Sequence, residues 1–289
     1  MSINNKIHDY ITFPTTFENY KWYKPLIVII ATIFIMLIFD AIILMISYMV
    51  GGVDLTRTVL SARYEGLNSA LPIIFSDLLL AAFIPSLYIA SKIINYRPFS
   101  SYSSSRGGWN FKLYFKALII PITLYIIYEG ISAAISGVKG TFQVSIPFLI
   151  AICIAVPLQS IAEEYMFRGF LLQTLGSWFK IPLLAIAIQA ITFALFHGYN
   201  SFGLLEVLVM GLLCGFLVWK TNGIEVCSAI HTANNFTVGL FVMLGLHVST
   251  SSPQLESVVG TIIFEIVLFI IMYYVGKKTN WFGEIPETS

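Results

Sequence analysis

Eight long apolar stretches constrain what this chain can become. They cover residues 25–50, 71–94, 113–135, 146–175, 181–197, 204–219, 224–246 and 258–275. A spanning helix needs about 20 mostly apolar residues. Only helices and closed barrels satisfy every backbone group inside lipid. The expected fold is therefore all-α, a polytopic membrane protein with about eight transmembrane helices. Composition agrees: 57% of the residues are hydrophobic and 11% are charged, whereas a soluble domain is about 25% charged. The fourth stretch is long and carries charges, so its helix should tilt or project. The fifth and sixth are short.

Charge orients the bundle. Of the 16 basic residues, Arg57, Arg63 and Lys139 fall on one side and all the others on the opposite side. Cytoplasmic loops carry the excess of Lys and Arg, so both termini are expected in the cytoplasm. The reading divides the chain into an interfacial segment 1–24, a transmembrane domain 25–276 and a cytoplasmic tail 277–289. Segment 1–24 is polar and aromatic, with Trp22 and Tyr23 at headgroup level, and does not read as a cleavable signal. The serine run Ser100–Ser105 reads as a flexible loop. A net charge of +1 without a long basic run points to no nucleic-acid partner. The three cysteines, Cys153, Cys214 and Cys227, match no zinc spacing and read as small buried hydrophobes. A composition rich in Ile, Asn, Phe and Tyr suggests a bacterial cell membrane.

An ionisable group in hydrocarbon is costly and marks function by default. The candidates are Asp40, Asp77, Glu129, Glu163, Glu164, Arg168, His197, Glu206, Glu225, His231 and Glu265. Asp40, Asp77, Glu129 and Glu265 read as isolated carboxylates with packing or interfacial roles. Glu206 and Glu225 lie near helix ends and are expected to reach water. His8 and His247 are expected to be solvated.

One set stands apart. Glu164 and Arg168 are four residues apart and stack on one helical face, where they can pair. Glu163 points about 100° away and is left over, a candidate general base. Desolvation would tune it toward neutral pH. Glu163 and His197 each lie 17 residues from Lys180 (180 − 163 and 197 − 180). A hairpin turning there brings them to similar depth, if the helices are regular. His231 and Asn235, four apart, share a face of a third helix, with Asn234 turned off it.

These residues resemble the CPBP family of intramembrane proteases, which comprises the CAAX-protease and bacteriocin-processing (Abi) proteins. Its Glu-Glu-x-x-x-Arg, Phe-x-x-x-His and His-x-x-x-Asn motifs match Glu163-Glu164 through Arg168, Phe193 through His197, and His231 through Asn235, in order. The resemblance covers a protease core of about 146–246 and none of the first three helices. It implies a helical fold with a cytoplasm-facing cavity and endopeptidase activity near the C-terminus of a peptide or membrane-anchored protein substrate. Peptide maturation and bacteriocin self-immunity are the roles it brings.

The residues suggest a mechanism. Glu163 activates a water oriented by His197, while His231 and Asn235 donate to the oxyanion. Glu164, Arg168 and Phe193 are orienting residues. A metal version would place Zn²⁺ on Glu163, His197 and His231 with an open fourth position, but it leaves the base missing. The His-Glu-x-x-His zinc helix is absent, so metal-free catalysis is favoured. Two other classes compete: a proton-coupled transporter built on the scattered carboxylates, and a non-catalytic immunity or scaffold protein. No inverted repeat supports the first.

Overall fold

The computed structural model describes residues 9–61, 70–137, 140–142, 144–247, 250 and 252–281. Lys6, His8, Arg63, Lys139 and the tail from 282 onward lie outside them, and with them part of the charge argument for orientation. Among the described residues there are helices and no strands, apart from one isolated bridge between Ser104 and Gly223. Seven helices are long and apolar enough to cross a membrane. We number them with one shorter helix in chain order: α1 Lys24–Ser61, α2 Ala70–Ile94, α3 Phe111–Ser136, α4 Ile146–Phe179, α5 Pro182–Leu195, α6 Ser201–Thr221, α7 Glu225–Met243 and α8 Leu255–Lys278. All eight apolar stretches are helical. The protein is an all-α polytopic membrane protein.

Exposure shows which helices meet lipid. α1 turns Ile30, Phe34, Leu37 and Met49 outward, each more than 60% exposed, an arrangement water would not tolerate. It runs past the apolar stretch to Ser61 and breaks at Gly52, whose φ of 67° suits a residue without Cβ. α7 is the most enclosed, followed by α2 and α4, and α7 packs against α3 and α4. α5 has 14 residues, about 21 Å, and is too short to span alone. It lies tight against α6 because Gly211 and Gly215 remove side chains there: a Cβ on Gly211 would stand 3.1 Å from Ala190. Gln189 Nε2 donates to the Gly211 carbonyl at 2.8 Å across the same seam. Small residues one turn apart permit such close approach in lipid.

Three features depart from the sequence reading. The segment before α1 is not wholly interfacial: Tyr10 and Ile11 are fully buried. The Tyr10 hydroxyl donates to the Tyr102 carbonyl, and Trp219 Nε1 donates to Asp9 at 2.8 Å. Trp22 and Tyr23 do remain exposed. The serine run is not a loose loop. Ser100–Ser103 form a helical turn, Ser101, Ser103 and Ser104 are buried, and Ser103 shares a 2.6 Å hydrogen bond with Tyr165. Small hydroxyl side chains fit a crowded seam and satisfy the backbone there. Finally, α4 is not regular. It contains π-helical turns at Ala151–Ala155 and Tyr165–Leu172, so counting residues from Lys180 misjudges depth. The turn itself stands: Lys180 caps α4 with φ 56°, and Pro182 opens α5.

Candidate active site

α4, α5 and α7 supply the site. The second π-helical turn begins immediately after Glu163-Glu164, and such turns favour functional positions. Glu164 and Arg168 are fully buried, with Arg168 Nη1 2.8 Å from Glu164 Oε1. That same oxygen accepts from His231 Nδ1 at 2.9 Å. The other ring nitrogen, Nε2, faces Glu163 Oε2 at 3.5 Å. His231 thus stands between the two carboxylates, and Glu164 grips the ring as well as Arg168. The sequence reading gave Glu164 to Arg168 alone.

Two carboxylates and one guanidinium surround the imidazole, whose Nδ1 bonds Glu164 and whose Nε2 is turned toward Glu163. Glu163 keeps slight access, its side chain being 12% exposed.

His197 lies two residues beyond the end of α5. Its Nδ1 donates to the Phe193 carbonyl at 2.8 Å, which leaves Nε2 free to accept. Phe193 is the shared wall. Its ring centre is 4.7 Å from His197 and 6.1 Å from His231, and the Arg168 guanidinium stacks 4.3 Å above it. The Tyr199 ring lies tilted against His197, 5.7 Å between centres. The Tyr199 phenol's pKa is raised, by desolvation first and then by the charges of Glu206 and Glu163.

Asn235 differs from expectation. Its amide nitrogen bonds Gln159 Oε1 at 3.1 Å and Ser160 Oγ at 3.2 Å, so it does not face a reacting carbonyl. It tethers α7 to α4 one turn before Glu163. Asn234 donates to Asn235 at 3.2 Å. Tyr114 reaches Thr232 at 3.0 Å and braces the other side of α7. Gln159 and Ser160 were missed. Their spacing of four and three before Glu163, on the same face, was the available signal.

Residues fit a metal poorly. Among the described residues, one group of three metal-ligating side chains converges within 4.8 Å, and it is Glu164, Cys214 and Cys227. Glu163, His197 and His231 do not converge that closely, so the proposed zinc trio is not assembled. In the other group the two sulfurs are bonded to each other, a disulfide joining α6 to α7. Cys214 and Cys227 are therefore a cross-link rather than free hydrophobes, and Cys153 is exposed.

The remaining polar residues sort differently from expectation. Glu225 is fully buried and paired with Arg106 at 2.8 Å instead of reaching water. Glu206 is half-buried. Glu129 is not isolated, and His247 is not simply solvated: the two meet at 3.1 Å. Buried oxygens of Asp40, Asp77 and Glu265 have no hydrogen-bond partner among the described residues.

Comparison with known proteins converges on the same segment. Residues 143–237 match the family described as type II CAAX prenyl endopeptidase Rce1-like. The "Uncharacterized protein YyaK" of Bacillus subtilis (strain 168) is 30% identical over 187 residues, which are 61% of this chain and 62% of that protein. The match thus spans less than two thirds of the relative's length. No solved structure matches the chain.

Proposed function

We propose, for a chain whose residues 143–237 belong to the Rce1-like family, an intramembrane endopeptidase that hydrolyses a peptide or membrane-anchored protein by activating water. The observation that carries this reading is the gripped imidazole of His231. One nitrogen is held by Glu164 at 2.9 Å and the other faces Glu163 at 3.5 Å. An orienting carboxylate, an imidazole and a partly accessible second carboxylate are what acid–base hydrolysis requires.

In the proposed reaction a water lies against Glu163 and the free Nε2 of His197. Glu163 removes a proton, and the new O–C bond forms at the scissile carbonyl. The charge on the tetrahedral oxygen is met by a hydrogen bond donated from His231 Nε2, a contribution typically worth about 2.7–4 kcal/mol. Glu163 then passes its proton to the departing amine as the C–N bond breaks, giving a carboxylic acid and an amine. Asn235 positions α7 and does not touch the substrate. The scheme derives no step through a metal.

Cleavage by purified protein in liposomes tests it, with membrane-associated peptides read by mass spectrometry. Glu163→Gln should lower turnover at least about 10³-fold, within the usual range for a general base, and leave the melting temperature nearly unchanged. Normal cleavage by that variant would refute the scheme. A carrier is the second reading, favoured by the carboxylates on α3, α6 and α8. Proton-coupled flux that survives Glu163→Gln would favour it.

A further inference from the structure

A second ionisable group lies at the end of the bundle where α5 stops. Glu129 is on α3, two turns before its end at Ser136. Glu206 is in the second turn of α6, and Glu265 is on α8. Aromatic packing fixes α3 against α8: Tyr128 stacks on Phe264 at 4.4 Å, Tyr125 meets the same ring at 4.9 Å, and Tyr128 shares a 3.1 Å hydrogen bond with Thr261. Asn200 donates to the Pro253 carbonyl at 3.1 Å, joining the start of α6 to the approach to α8. Three helices therefore present three carboxylates to one region.

Glu129 has His247, but among the described residues no Lys or Arg pairs with Glu129, Glu206 or Glu265. Two buried polar groups there have no hydrogen-bond partner among the described residues: Glu265 Oε2, on a residue 2% exposed, and the Tyr125 hydroxyl, on a residue 1% exposed. Tyr125 packs on Phe264, the residue next to Glu265. Carboxylates left so in an apolar bundle call for a positive partner. The three do not converge within the 4.8 Å that a shared metal ion demands. A cationic side chain brought by a ligand would answer them, and the rings of Tyr125, Tyr128 and Phe264 beside them suit an ammonium or guanidinium group.

Its position relative to the candidate active site identifies the cation. Tyr199 stands between the two, 5.7 Å from the His197 ring and packed so closely on Gly203, one turn before Glu206, that a Cβ there would lie 2.8 Å from its own. A peptide lying across Glu163 and His197 carries its neighbouring side chains past Tyr199. We infer that Glu206, backed by Glu129 and Glu265, forms a subsite for a lysine or arginine side chain of the substrate, flanking the cleaved bond. This inference rests on the protease reading and adds a substrate class to it.

The experiment uses the full chain in nanodiscs and peptides in which lysine, norleucine or glutamate is walked through the positions flanking the cleaved bond. At one position lysine should raise kcat/KM over norleucine by at least tenfold. The ratio should fall below twofold in Glu206→Gln, and Glu206→Lys should favour the glutamate peptide. Equal cleavage of lysine and norleucine peptides at every position by the wild type would overturn the subsite and leave the protease reading intact. If the wild type cleaves none of them, the protease reading fails, and the subsite is then decided by binding. Fluorescent lysine peptide should bind Glu163→Gln protein at least tenfold tighter than the norleucine peptide, with the preference lost on adding Glu206→Gln. Absence of that preference would overturn it as well.

Discussion

Two groups of ionisable side chains lie inside this bundle, and they are built to opposite rules. Glu163, Glu164, Arg168 and His231 balance one another. Each charge has a counter-charge within 3.5 Å, and side chains of α4, α5 and α7 enclose them. Among the described residues Glu129, Glu206 and Glu265 have one imidazole between them and no Lys or Arg. The first group resembles a buried ion-pair network, in which removing one member strands another. The second is in deficit, and neutralising one of its members relieves repulsion. The contrast separates a group whose charges are mutually paired from one whose carboxylates meet no Lys or Arg among the described residues.

The largest test removes the counter-charge of the balanced group. Arg168→Met leaves Glu164 buried against apolar surface and should destabilise the protein by about 3–5 kcal/mol, read as a lower melting temperature in detergent, and cleavage should be lost with it. An unchanged melting temperature would break the comparison, because Glu164 would then not depend on its partner. Next in size is the disulfide that ties α6 to α7 beside Glu164. Replacing Cys214 and Cys227 together by alanine should cost about 2–4 kcal/mol, and a reductant should reproduce the shift in the wild type but not in the double variant. Asn235→Ala follows, at about 1 kcal/mol, with turnover reduced roughly tenfold (about 1.4 kcal/mol in barrier) as His231 loses its register against Glu163.

Helix number and the shared helical faces of the motif residues were legible because both are periodic. Apolar runs of spanning length are read directly, and Glu164 and Arg168, or His231 and Asn235, share faces at a spacing of four. The rest depended on where helices meet, which period does not specify. Nothing in the spacing of Cys214 and Cys227 says that α6 and α7 bring their sulfurs together. Asn235 was placed on the correct face, but its partners are Gln159 and Ser160 on another helix, so its role changed from oxyanion donor to tether. The π-helical turns of α4 were invisible for a related reason: no residue type marks them, and they shift the depth of Glu163 relative to a regular helix. Glu225 was read as solvated from its place at a helix end, while Arg106 reaches it from the loop that the serine run was thought to loosen.

The smallest effect carries the opposite sign, and the sign makes it decisive. Glu265→Gln keeps the volume and replaces a carboxyl group whose Oε2 has no partner among the described residues. A buried carboxyl without a counter-charge is expensive to ionise and an amide carries no such cost, so the variant should be as stable as the wild type or more stable, by up to about 1 kcal/mol. Glu164→Gln is the control. It has the same change of atoms at equal burial, but there the lost charge strands Arg168 and weakens the hold on His231, so the melting temperature should fall. Were both variants destabilised alike, Glu265 would have to be as well paired as Glu164, and the deficit that separates the two groups would vanish. A rise for Glu265→Gln beside a fall for Glu164→Gln would fix the difference on charge balance alone, since burial and residue type are the same in both.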